Sequence, residues 1–394
     1  MLKHISYKPI MRQDLGSNIF YPQLDGLRGI AILMVIEWHY HLVASLLAHT
    51  QSGLAYFVEP ILSLGWSGVD LFFVLSGFLL GGILLDRKGA SNYFKAFYTR
   101  RACRILPLYF IVVGVFFILP AASSTAETVP LWAYLTFTQN IAMAQQGDWG
   151  SDWLTPTWSL AVEEQFYLIL PFLVWSISRK RLPYVLAGLI LLAPLLRICI
   201  ITFASYGDFA FYILLPSRAE SLYWGVLGAW IMRNPKCLAF LNSHRKSLYA
   251  AIVMLTTGVC LLVLGPYRHW TPDVLTTYFP PTYGYTLLSL LYLCVLLTAV
   301  TEKRGLISFV TRNQLLAKIG IISYGVYLLH IPVQLALLSG AHHTGLLPVS
   351  GSVFYANVGA LLLTLALASV SWIFFERRIV NWGRSFNYQP TISS

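Results

Sequence analysis

Charge is scarce in this chain. Of 394 residues, 11% are Asp, Glu, Lys or Arg and 57% are hydrophobic, whereas soluble domains carry about 25% charged residues. The shortage excludes an ordinary soluble fold and makes every charge inside an apolar run a candidate for function. Cysteine is also sparse. The five present (Cys103, Cys199, Cys237, Cys260 and Cys294) fall in apolar runs or in connections read below as cytoplasmic, so no disulfide framework is expected. The chain has no Walker phosphate loop, no Gly-x-Gly-x-x-Gly dinucleotide fingerprint and no His-Glu-x-x-His zinc signature. Any energy-rich group donor must therefore come from outside the protein. The first twenty or so residues are mostly polar and lack a short apolar core with a small-residue cleavage pattern, so the first apolar run reads as an uncleaved anchor.

What is present is a series of apolar runs, each near the roughly 20 residues a helix needs to cross a bilayer. About ten are read, near 26–48, 60–85, 105–122, 158–177, 183–203, 209–232, 247–265, 283–300, 317–339 and 353–375, with room for a short re-entrant segment between 130 and 145. The basic residues cluster in every second connection, at Lys3 to Arg12, Arg87 to Arg104, Arg179 to Arg181, Arg233 to Lys246, Lys303 to Lys318 and Arg377 to Arg384. The intervening loops hold Arg268 alone. Both termini are therefore expected in the cytoplasm. The fold expected is all-α: a polytopic helix bundle with a cytoplasmic segment 1–25, a transmembrane domain 26–376 and a cytoplasmic tail 377–394. The net charge of +11 is explained by inner-leaflet loops facing anionic lipid and requires no nucleic-acid partner.

Ionisable residues at membrane depth are costly and default to functional candidates. The first run carries Leu24-Asp25-Gly26-Leu27-Arg28-Gly29 and continues to His39. Eleven helical residues bring Arg28 and His39 within about 20° of one face and about 16 Å apart. A fixed guanidinium suits a phosphate or carboxylate, and an imidazole can take a proton from a hydroxyl. The bland alternative is an arginine reaching lipid headgroups and a histidine bonded between helices. Glu37 and His41 point to the other side of that helix.

Asp70, in Gly65-Trp66-Ser67-Gly68-Val69-Asp70, is expected to enter from the outer side near the depth of His39, to orient an imidazole, bind a sugar hydroxyl or cap a helix. Ser76, Gly68 and Gly77 permit close helix packing. Arg101 and Arg104, in Arg100-Arg101-Ala102-Cys103-Arg104, share a helical face able to hold donor phosphates, although positive-inside topology alone also places arginines there. Glu163 and Glu164, in Trp158-Ser159-Leu160-Ala161-Val162-Glu163-Glu164-Gln165-Phe166-Tyr167, cannot face one direction, so one points into a cavity and the other at a neighbour. Arg197 lies in the fifth run. Arg218 and Glu220, in the sixth, face different ways. Tyr324, Tyr327 and His330 in the ninth are core or cavity residues with satisfied polar groups. His342 and His343 with His49 or His269 have no Cys or acidic partner at ligand spacing, so no metal is expected.

Five stretches, LDGLRGIAILMVIEWH, GVDLFFVLSGFLL, RRACRILPLYF, TWSLAVEEQFYLILP and ISYGVYLLHIPV, occur in the order found in the acyltransferase-3 family of integral membrane acyltransferases, which the chain resembles from residue 24 to about 335. The resemblance implies transfer of an acyl group, commonly acetyl, from cytoplasmic acyl-CoA to an acceptor hydroxyl. The family's Arg-x10-His motif falls on Arg28 and His39, and its Arg-x-x-Arg motif on Arg101 and Arg104. The histidine is implied to be catalytic and the arginines to contact the donor. Many relatives carry a fused extracytoplasmic SGNH-type domain; none is read here, which counts against acceptors that need it.

The function expected is thus membrane O-acylation of a cell-surface glycan or its lipid-linked precursor, with acyl-CoA as co-substrate and no bound cofactor. His39 acts as general base or as a transient acyl carrier, with Asp70, Glu163 and Glu164 beside it. Arg28, Arg101 and Arg104 hold the donor, and Ser76, Tyr324, His330 and Arg218 are cavity candidates. The expected location is a bacterial inner membrane. Acyl transfer to a small molecule, or a transporter or flippase of a lipid-linked sugar without chemistry, are the competing readings.

Overall fold

The computed structural model describes residues 21–43, 55–119, 128–264, 282–343 and 352–390. The described residues contain helices and connecting turns and no strand. The longer helices are α1 (Pro22–Tyr40), α2 (Gly68–Arg87), α3 (Tyr93–Ile118), α4 (Thr157–Ser176), α5 (Leu182–Phe203), α6 (Leu215–Arg233), α7 (Arg245–Leu264), α8 (Gly284–Thr301), α9 (Gln314–His343) and α10 (Ser352–Ser371). A π-helical turn, Trp372–Glu376, joins α10 to the short α11 (Arg377–Ser385). Short helices at Leu131–Leu135 and Gln139–Gln146 occupy the stretch where a re-entrant segment had room.

Each of the ten apolar runs coincides with a long helix. Composition divides them. Among the described residues, seven helical segments are long and apolar enough to cross a membrane: Val58–Arg87, Tyr93–Ile118, Leu182–Phe203, Arg245–Leu264, Gly284–Thr301, Gln314–Ser339 and Val353–Ser385. The other three, α1, α4 and α6, have 19, 20 and 19 residues but carry the interior charges Arg28, Glu163, Glu164, Arg218 and Glu220. The residues that weaken their membrane signal are those that make them candidates for function.

Burial places the charged helices inside. The apolar window of Val58–Arg87 is 89% buried, while those of α5 and α7 are 22% and 17% buried. α2 is therefore central, and α5 and α7 present apolar faces outward. α1 packs along α9, α9 along α10, and α2 along α6. Small residues allow the closest approaches. A Cβ at Gly29 would overlap the backbone of Leu316, and one at Gly320 the backbone of Asp25. Gly77 and Gly225 face each other between α2 and α6 in the same way.

Three ion pairs tie charges together inside the bundle. Asp70 accepts from Arg218 at 2.9 Å, Glu220 pairs with Arg197, and Asp86 takes two bonds from Arg233 at 2.7 Å each. Removing one partner of such a buried pair costs about 3–5 kcal/mol because the other charge is stranded.

Candidate functional site

A cavity of about 120 Å³ lies between α1, α2, α3, α4 and α9. Arg28, Arg101 and Arg104 line it, so two motifs more than seventy residues apart in sequence meet at one place. Along α2 its wall runs from Val69 through Phe72, Phe73, Ser76, Leu79 and Leu80 to Ile83. That stripe has helical spacing and spans about 21 Å at 1.5 Å per residue. The cavity is therefore a slot, with cations lining it and an apolar wall along much of its length.

The three arginines are held differently. Arg28 lies 3.6 Å from Asp25, one turn earlier in α1. Arg104 sits between the rings of Tyr324 and Trp372, at 5.6 and 5.2 Å, and 3.8 Å from Glu376. The π-helical turn carries Glu376 and Trp372 together to this position. Such wide turns recur at functional sites. Arg100, in contrast, donates to the carbonyls of Arg384 and Phe386 at the end of α11. The helix thus gives Arg101 and Arg104 to the cavity and Arg100 to the C-terminal segment.

Of the adjacent carboxylates, Glu163 lines the cavity. Its Oε1 accepts from Ser76 at 2.8 Å and its Oε2 from Tyr167 at 2.9 Å. Glu164 is outside the lining, and its Oε1 is buried without a hydrogen-bond partner among the described residues. Ser76 is thus a ligand of Glu163 as well as a small packing residue. Tyr324 and Tyr327 line the cavity with their hydroxyls satisfied, on Ile105 O at 2.6 Å and Pro156 O at 2.9 Å. Ser159 also bonds Tyr327, at 2.6 Å.

His39 is not among the lining residues. It stands half-buried near the end of α1, its Nδ1 2.8 Å from Val35 O and 3.3 Å from Nε2 of the fully buried His330. The His330 ring is 5.7 Å from the Tyr327 ring, so one turn of α9 separates the far end of the slot from the histidine pair. Phe72 meets Tyr327 edge-on at 6.4 Å at that end. Glu37, on the opposite side of α1, accepts from Val43 N at 3.0 Å, just past the end of the helix.

The structure does not bring Asp70 to His39. α1 packs on the Gly65–Gly68 face of this segment, where an added Cβ would meet Met34 O and Ala31 O, and Asp70, two residues beyond Gly68, faces α6 instead. Both its carboxylate oxygens are occupied, one by Arg218 and one by Ser221 at 3.0 Å. Arg218 is surrounded by the rings of Phe73, Trp158, Tyr212 and Tyr285 at 4.6–5.8 Å. It is a fully buried cation, outside the lining of the slot. His49 and His269 lie outside the described residues, and nothing is described of the side chains of His342 and His343. Sequence reasoning passed over Asp25, Tyr167 and Glu376. Tyr167 follows Glu163 by one helical turn, a spacing that carried the signal; Glu376 lies far from any quoted motif.

The described residues form an all-helical bundle rich in membrane-length helices, with arginines and a carboxylate in one slot and a histidine pair beyond it. Residues 21–375 match the acyltransferase domain of the acyltransferase-3 family, and the chain belongs to that family. It is 29% identical over 404 residues to a Bacillus subtilis protein provisionally named peptidoglycan O-acetyltransferase YrhL, covering 93% of this chain and 56% of that one. It is 26% identical over 407 residues to O-acetyltransferase OatA of Staphylococcus aureus, covering 96% of this chain and 60% of that one. The chain thus spans between half and two thirds of the length of these relatives. No solved structure matches it.

Proposed function

We propose that the protein is a multi-pass membrane O-acyltransferase that moves an acetyl group from cytoplasmic acyl-CoA to a hydroxyl of a cell-surface glycan in a bacterial inner membrane. The observation that carries the reading is the convergence of Arg28, Arg101 and Arg104 on one slot, with α1 running on from Arg28 to His39, about 16 Å away along one helix. Guanidinium groups suit the phosphates of CoA, and the apolar wall suits an extended acyl-pantetheine arm. The name of the Bacillus subtilis relative points to peptidoglycan as the class of acceptor.

In this reading both termini are cytoplasmic, α1, α4 and α6 cross the membrane with the seven apolar segments, and the domain extends over 26–376. The donor enters from the arginine side, and its thioester passes the Phe72–Tyr327 contact to reach His39. The acceptor hydroxyl gives its proton to His39 Nε2 as its oxygen attacks the thioester carbonyl. Collapse of the tetrahedral intermediate breaks the carbon–sulfur bond and forms the ester. The departing CoA sulfur takes the proton back from the imidazolium. Glu163, fixed by Ser76 and Tyr167, stands against the arginines along the donor's path.

The test is proton NMR of surface glycans from a deletion strain carrying wild type or His39→Ala. An ester acetyl signal found only with wild type supports the reading. Identical spectra overturn it for glycans and favour a small-molecule acceptor or transport.

A further inference from the structure

We infer that His330 is a positioning residue for His39: it accepts the Nδ1–H of His39 and so holds the ring with Nε2 free to act. The inference rests on the proposed role of His39 as general base. His330 is fully buried and outside the slot, so it meets neither substrate in this arrangement. Its Nδ1 lies 2.7 Å from Tyr327 O. A carbonyl only accepts, so that nitrogen carries the hydrogen and Nε2 presents a lone pair. The lone pair faces His39 Nδ1 at 3.3 Å. By the same argument His39 Nδ1, 2.8 Å from Val35 O, carries a hydrogen that the carbonyl and His330 share. The remaining nitrogen of His39, Nε2, has no hydrogen-bond partner among the described residues and is the basic one.

The surroundings hold this geometry. The two rings meet edge-on, 4.8 Å apart at 65°. Gln334 donates to the carbonyl of His39 at 3.3 Å and to Asn357 at 3.0 Å, and Asn357 donates to Tyr40 O at 2.8 Å. Tyr40 closes the circuit by donating to His330 O at 2.6 Å. The end of α1 is thus tied to α9 and α10 on both sides of the imidazole pair. When Nε2 of His39 takes a proton, the positive charge is shared with Nδ1–H, whose bond to His330 strengthens. A phenylalanine would fill the space of His330 equally well but offers no lone pair.

Two variants of the full-length protein separate this role from packing: His330→Phe, which fills the space, and His330→Gln, whose amide can donate to Tyr327 O and accept from His39. The assay follows acetyl transfer from radiolabelled acetyl-CoA to muropeptides by purified protein in lipid nanodiscs. His330→Phe is expected to lower kcat about 10–100-fold, the usual range for an outer partner of a working histidine, with KM for acetyl-CoA unchanged. His330→Gln should recover most of that loss. Equal activity of His330→Phe and wild type would overturn the role. So would equal losses in both variants accompanied by a raised KM and lowered thermal stability, which would mark His330 as packing only. His39→Ala run alongside separates the premises: if it transfers as fast as wild type, the general-base reading itself has failed.

Discussion

The clearest choices in this protein are made by single side chains. Glu163 and Glu164 are indistinguishable by type, and sequence says only that they face apart. Ser76 and Tyr167 settle the matter, because both donate to Glu163 and neither to Glu164. Ser76 lies in another helix, 87 residues away, and could not be read from the motif, whereas Tyr167 stands one turn on within it. Glu163→Gln removes the charge and leaves one oxygen acceptor where there were two, so one donor is stranded at a cost of about 1–3 kcal/mol. Acetyl transfer should fall about tenfold or more with the protein still folded, as measured by steady-state kinetics and thermal unfolding in detergent. Asp70 and Arg218 show the same limit. Each was recognisable as a costly charge, but their pairing across 148 residues was not. Arg218→Ala should destabilise the fold by about 3–5 kcal/mol, since it strands a buried carboxylate. Loss of folded protein, measured by size-exclusion chromatography, is the expected result.

At the scale of elements, the all-helical fold and its seven apolar membrane-length helices were legible because apolar runs of about 20 residues have few alternatives in a membrane. What the runs could not give was which face meets which neighbour. The Gly65–Gly68 face packs on α1, which turns Asp70 towards Arg218 and Ser221 of α6 and away from His39. The π-helical turn was also hidden. Its effect is to bring Glu376 and Trp372 onto Arg104. Glu376→Gln should therefore raise KM for acetyl-CoA severalfold and leave kcat nearly unchanged, the pattern of lost donor binding without lost chemistry. A fall in kcat alone would contradict this. The contact between Phe72 and Tyr327 makes a complementary case. Phe72→Trp narrows the passage from slot to histidine, and transfer should drop while CoA affinity, measured by calorimetry, stays constant.

For the whole molecule, the division of labour follows from cost. Apolar helices such as α5 and α7 face outward, and the interior charges of α1, α4 and α6 are buried or half-buried behind them. Basic residues in alternate connections give the proposed orientation, with the arginine end of the slot towards the cytoplasm and its CoA. A cysteine introduced at Ser205 should react with a membrane-impermeant maleimide in intact cells, whereas one at Ser243 should react only after lysis. The central claim joins the two ends of α1, Arg28 holding the donor and His39 performing the chemistry. It is tested most directly by measuring acetyl-CoA binding and single-turnover transfer to muropeptides for wild type and His39→Gln in nanodiscs. The account predicts an unchanged Kd with transfer slowed about 100-fold or more, as expected for loss of a general base. Transfer by His39→Gln at the wild-type rate would contradict it.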